Sequence, residues 1–221
     1  YRSGENDLEK KTKNCLSCTD CGINSCNKTG AAYPEFCLTT QLTEKEIQKI
    51  KDLYNEQEEV RKLALAGAEV EGALYGKASR VEEIMEFARR IGAKKIGIAT
   101  CIGLIEESRI FARILKANGF EPYGVACKVA AIDKDEIGIG KEYQRREHEH
   151  MCNPVCQAKL LNKSKTELNV VVGLCVGHDS LFYRYAKAPV TTLVTKDRVT
   201  GHNPVAALYT AHSYYKKLFA E

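Results

Sequence analysis

The sequence predicts an α/β fold: a small doubly wound, flavodoxin- or Rossmann-like parallel sheet of about four strands, with a cysteine-rich module at its N-terminal end. Three observations point there. From residue 95 onward, short apolar runs alternate with stretches of helical periodicity, the order that builds a parallel sheet covered on both faces. Two capping boxes, Thr43 with Glu46 and Ser79 with Glu82, open helices ahead of those runs. The ten cysteines divide five and five, one set within residues 15–37 and the other within 101–175.

Taken in order, residues 1–42 are rich in Gly, Asn, Ser, Thr and Lys and lack apolar periodicity. Such a segment cannot bury enough surface to order itself, so a metal is expected to do so. The α/β domain is expected over 43–221. After Thr43, Ile47, Ile50, Leu53 and Tyr54 recur at helical spacing, and a second helix is predicted over 58–74. The helix opened by Ser79 runs to Ile91 and stops at Gly92. Strands are predicted at 95–100, 122–127, 168–174 and 190–195. Helices are predicted at 106–118, 153–161, 179–186 and 204–219, with a polar loop over 133–149. Asp179 is expected to cap the helix that follows it.

With 221 residues, 44% of them hydrophobic, the chain can build one substantial core and a small appendage. No apolar run approaches the roughly 18 to 20 residues that span a bilayer, and no signal-like stretch is seen. A cytoplasmic protein without a membrane partner is expected. Net charge is +4, with 33 basic and 29 acidic side chains well mixed and no Trp. Nucleic-acid binding needs a concentrated basic face, so that partner class is excluded. After the first strand, Ala99-Thr100-Cys101-Ile102-Gly103-Leu104 lacks the dinucleotide fingerprint, and no nucleotide cofactor is expected.

The chemistry lies in the cysteines. Cys15, Cys18 and Cys21 form a Cys-x2-Cys-x2-Cys run, with Cys26 after four further residues and then Cys37. The run is close to the bacterial ferredoxin signature, but its last spacer is one residue longer and Asn27 stands where that signature has Pro. A cluster held by Cys15, Cys18, Cys21 and either Cys26 or Cys37 is expected. A structural zinc site is the alternative, disfavoured because zinc pairs are usually set farther apart.

In the second set, Cys101, Cys127 and Cys175 each end or follow a predicted strand, and Cys152 and Cys156 open the helix before the third. Ligands of open α/β sheets bind beyond the carboxyl ends of the strands, where strand order reverses. If the order is 2-1-3-4, Cys101 and Cys175 flank that crevice. Four-residue spacing would let Cys152 and Cys156 face one way, and a helix N-terminus favours their thiolates. His178, after Cys175, is the candidate proton donor. Glu106, opening the helix after Cys101, is a second catalytic candidate, although a carboxylate there also suits the helix dipole.

The segments Ile98 to Ser108, Cys127-Lys128, Cys152-Asn-Pro-Val-Cys156-Gln and Val172 to Asp179 resemble an uncharacterised prokaryotic family. Its members are usually called cysteine-rich metal-binding proteins or a domain of unknown function. The likeness covers nearly the whole chain, N-terminal cysteines included. It implies metal binding and an anaerobic bacterial or archaeal source, but no reaction.

The expected function is an iron–sulfur protein with clusters of the 4Fe–4S type, acting by redox or Lewis-acid chemistry on a small molecule. Electrons would pass from the N-terminal cluster to a core cluster on Cys101, Cys127, Cys152, Cys156 and Cys175. The partner would be that small substrate or a redox protein. The alternatives are a non-enzymatic metal carrier or sensor, and a zinc-stabilised thiol protein using Cys152 and Cys156.

Overall fold

The computed structural model describes residues 16–23 and 26–219. The chain divides into two compact units, Tyr1–Leu65 and Ala66–Glu221. In the first, a 3-10 turn over Cys18–Asp20 is closed by a capping box between Ser17 and Asp20. A single helical turn, α1 (Leu38–Gln41), follows. Helix α2 (Glu44–Glu56) begins at Thr43, whose hydroxyl accepts the Glu46 amide hydrogen while the Glu46 carboxylate accepts that of Thr43. No described residue from 16 to 65 is buried. Helix α3 (Glu58–Leu74) runs across the division, and burial begins at its Ala66.

The second unit is the α/β domain. Helix α4 (Arg80–Arg90) has the same reciprocal cap, here between Ser79 and Glu82, and buries Ile84, Met85 and Ala88. Strands β1 (Lys95–Thr100), β2 (Glu121–Ala126), β3 (Leu168–Val172) and β4 (Val190–Val194) form one sheet in the order β2-β1-β3-β4. Every pairing is parallel, with Ile98 opposite Gly124 on one side and Val170 on the other. The crossovers are helices α5 (Ile105–Ala117), α6 (Pro154–Lys163) and α7 (His178–Tyr185).

Strand β3 is buried along its whole length because both of its faces are covered. Strand β2 is an edge, which is where a strand tolerates Pro122. Side chains alternate along each strand. Ala99, Val125 and Val171 therefore form one layer with Ala158 and Leu161 of α6 and Phe182 of α7. Leu161 and Phe182 are fully enclosed, and burying such a side chain contributes about 1.5–3 kcal/mol. Thr100, of opposite parity, instead accepts the Ser108 hydroxyl of α5 at 2.7 Å.

Two elements depart from the sequence pattern. Strand β3 stops at Val172 rather than 174, because Gly173 turns at φ +68 and donates its amide to Val194. The helix expected over 204–219 is instead a short α8 (Val205–Tyr209) and a 3-10 turn, Lys216–Leu218. Thr210 and Ser213 bond back to the carbonyls of Ala206 and Thr210, at 2.7 and 3.2 Å. Leu208, Tyr209 and Tyr214 remain exposed, so no buried face sustains a longer helix. Among the described residues, no helix is long and apolar enough to cross a membrane.

Candidate functional site

At the carboxyl end of the sheet, alternation brings Cys101 and Cys127 together. Cys101 continues the series Gly97–Ala99, and Cys127 lies two residues beyond Val125, so both face the layer beneath α6 and α7. They are 6% and 2% exposed. Gln157, fully buried on α6, ties the two strand ends by donating Nε2 to the carbonyls of Thr100 (3.1 Å) and Val125 (2.7 Å). The Cys101 amide donates to Val172, extending the β1–β3 pairing by one bond.

Cys152 arrives from the loop. The Asn153 amide donates to the Cys127 carbonyl at 2.7 Å, which seats Cys152 beside Cys127. Asn153 is the N-cap of α6, and its side chain accepts the Cys156 amide at 2.9 Å. Cys152 therefore stands outside the helix. It does not share a helical face with Cys156, which four-residue spacing would suggest, because the helix begins only at Pro154.

Three thiols and one imidazole lie near enough to act on one another, in the series Cys101, Cys127, Cys152, His178. Cys127 is the middle of that series, and the flanking sulfurs of Cys101 and Cys152, with burial, push its thiol well up. Cys152 falls to about 4, first through Cys127 and then through His178, with Lys128 adding attraction against the cost of burial. Cys101 falls to about 5 through Cys127, the Gly103 amide and the Lys196 charge, again against burial. His178 is raised, chiefly by Cys152. The Ile102 amide adds a bond to the Cys127 sulfur at 3.3 Å. Cys175 stands after the Gly173 turn, where its sulfur accepts from Arg198 at 3.2 Å and its carbonyl accepts the His178 and Asp179 amides.

The second cysteine group lies in the first unit. Cys18, Cys21, Cys26 and Cys37 line one cavity of about 330 Å³, with Ser17 and Phe36 among its other walls. Cys15, named with them from the sequence, lies outside the described residues. The Ile23 amide donates to the Cys21 sulfur at 3.4 Å. Burial would raise the Cys37 thiol, but hydrogen bonds from the amides and hydroxyls of Thr39 and Thr40 outweigh it and hold the thiol below its usual range. All nine described cysteines are free thiols. Among the described residues, no three His, Cys, Asp or Glu side chains are gathered as a single metal ion would require.

Of the two catalytic candidates, His178 joins the core thiols. Glu106 pairs with Arg109 on the exposed first turn of α5, where its charge suits the helix dipole. Asp179 does not cap α7: the cap position is Gly177, at φ +82, and Asp179 accepts the Ser180 amide from inside the first turn. The sequence reading missed Lys128, Lys196 and Arg198. The signal for the last two was available, since the loop after β4 leaves the sheet at the same carboxyl edge as the cysteines.

The family described as "Protein of unknown function (DUF1847)" matches residues 37–193. The chain is also 47% identical over 196 residues to the uncharacterized protein MJ0455 of Methanocaldococcus jannaschii, a span of 88% of this chain and 96% of that one. The family match covers the whole core cysteine set and the parallel sheet up to the last residue of β4, and the chain belongs to this family of proteins of unknown function.

Proposed function

We propose that the protein is an iron–sulfur redox protein that acts on a small molecule at its core cysteines. The N-terminal cysteines would hold the cluster, and a bound cluster would supply electrons one at a time. The observation that carries this reading is the cavity of about 330 Å³ lined by Cys18, Cys21, Cys26 and Cys37. A zinc site draws four donors to about 2.3 Å from one point. Four cysteine sulfurs around one cavity are the donor set that an iron–sulfur cluster takes. The amides and hydroxyls of Thr39 and Thr40 favour anionic sulfur at Cys37, the form that ligates iron. At the core, His178 and the thiols supply a proton donor and polarizable sulfur beside cationic Lys128, Lys196 and Arg198.

The test is anaerobic purification with iron, acid-labile sulfide and zinc quantified alongside the visible spectrum. Iron and sulfide in stoichiometric amounts are expected, both lost in Cys18→Ser and Cys37→Ser. Zinc without sulfide would overturn the reading.

A further inference from the structure

We infer that the core is a dithiol site for small anionic disulfides, in which Cys152 is the nucleophile, His178 its proton donor and Cys127 the resolving thiol. The inference rests on the proposal above only in taking the core as the place where the small molecule reacts.

Position separates the roles. Cys101 and Cys127 are buried, whereas Cys152 is half-exposed and is the thiol in contact with His178. An incoming sulfur can therefore reach Cys152 first, and only then can an interior thiol act. The Asn153 amide on the Cys127 carbonyl sets Cys152 beside Cys127, and both pack in the same layer as Cys101. A second thiol against the first is what resolves a mixed disulfide. Cys156 cannot serve in that place: the contact of Cys152 is with Cys127, because the chain enters α6 only after Cys152. Lys128 acts on Cys152, Lys196 on Cys101 and Arg198 on the neighbouring Cys175, and these charges select for an anionic substrate.

The step balances as follows. The Cys152 thiolate attacks one sulfur of R–S–S–R, the substrate S–S bond breaks and a Cys152–S–S–R bond forms. The departing RS⁻ takes the proton of the His178 imidazolium. Cys127 passes its proton to the Cys101 thiolate and attacks the Cys152 sulfur, forming an internal Cys127–Cys152 disulfide. The second RS⁻ leaves with the proton held by Cys101. Two electrons move from the two protein thiols to the substrate, and an external dithiol restores the pair.

The experiment treats the full-length, anaerobically reduced protein with dithiobis(nitrobenzoate), an anionic disulfide whose thiolate product is coloured, and maps the products by peptide mass spectrometry. The wild type should form a Cys127–Cys152 disulfide and release two thiolates from the core. Cys127→Ala should stop at a Cys152 adduct with one thiolate released, with circular dichroism confirming its fold. His178→Gln should move the onset of the Cys152 step upward by about one pH unit, a roughly tenfold loss of rate on the acid side of that onset. A neutral dipyridyl disulfide should react more slowly than the anionic probe relative to the N-terminal cysteines in the same sample. First modification at Cys101 or Cys175 would overturn the inference, as would core thiols that react only after iron is stripped and an iron loss in Cys127→Ala. Cys37→Ser separates the two readings, since losing iron there while keeping the Cys127–Cys152 chemistry leaves this inference standing alone.

Discussion

The two cysteine groups share one chemistry and occupy opposite physical settings. In residues 16–65 no described side chain is buried, and the sulfurs of Cys18, Cys21, Cys26 and Cys37 ring an open space. In the second unit, Cys101 and Cys127 are as enclosed as the aliphatic residues around them. The core thiols are positioned by strand parity, by Gln157 and by the Asn153 amide before any ligand arrives. The N-terminal thiols have only local turns and caps to hold them. One site is thus organised by the fold, and under the proposed function the other would be organised by what it binds.

Under the proposed function, the strongest way to break that contrast is to remove the metal that the N-terminal cysteines would hold. Structural metal sites of small modules carry apparent binding energies on the order of 10 kcal/mol. A chelator with reductant should therefore abolish hydrogen-exchange protection in residues 16–56 and leave β1 and β3 protected. Loss of protection in both units together would show that the core also depends on the ion. The converse experiment is Phe182→Ala, which empties the centre of the layer between the sheet and α6 and α7. It should lower the stability of the α/β unit by about 3–5 kcal/mol in a urea titration, with iron content unchanged.

The same contrast governs what the sequence made legible. Every strand of the sheet was visible, because parallel strands covered on both faces read as short apolar runs. Helices α2 and α4 were visible from Thr43–Glu46 and Ser79–Glu82, since a capping box is a local signal that needs no tertiary partner. The C-terminal helix misread followed from treating a Tyr-rich stretch as periodic when nothing covers it. In the site, the strand-end cysteines were found by topology and His178 by adjacency. The grouping of Cys152 with Cys156 missed that Asn153, not Cys152, would cap α6. Lys196 and Arg198 were overlooked because only the cysteines were followed to the strand ends.

A smaller effect sharpens the electrostatics of the core. Cys152 lies near 4 against a usual value of 9, so its thiolate is populated through the neutral range. A depressed folded value stabilises the fold above the unfolded value, and that contribution fades as pH falls from about 9 towards 4; Cys127, raised, works in the opposite sense. Alkylation of Cys152 by iodoacetamide should therefore change little from pH 6 to pH 8, where an ordinary thiol of pKa about 8.5 gains steeply. Removing the imidazole in His178→Gln should move the onset upward by about one unit, or ~1.4 kcal/mol. A steep rise through neutral pH in the wild type would mean that the thiolate is not held there.

The finest test uses a device present once in each region. Thr43 and Ser79 make the same reciprocal cap, with hydroxyl and carboxylate bonds to Glu46 and Glu82 of 2.7 Å each. Replacing such a cap by alanine removes about 0.5–2 kcal/mol from the helix. Helix α4 buries Ile84, Met85 and Ala88, so Ser79→Ala should transmit its loss to the whole α/β unit and lower its urea midpoint by about 1 kcal/mol of stability. Helix α2 buries nothing, with Ile50, Leu53 and Tyr54 about half exposed. Thr43→Ala should therefore fray only its own first turn, seen as faster exchange at the amides of 44–47 with the α/β transition unmoved. Equal shifts from the two substitutions would mean that α2 folds as part of the same cooperative unit, and that the N-terminal cysteines gain more order from the protein than their exposure implies.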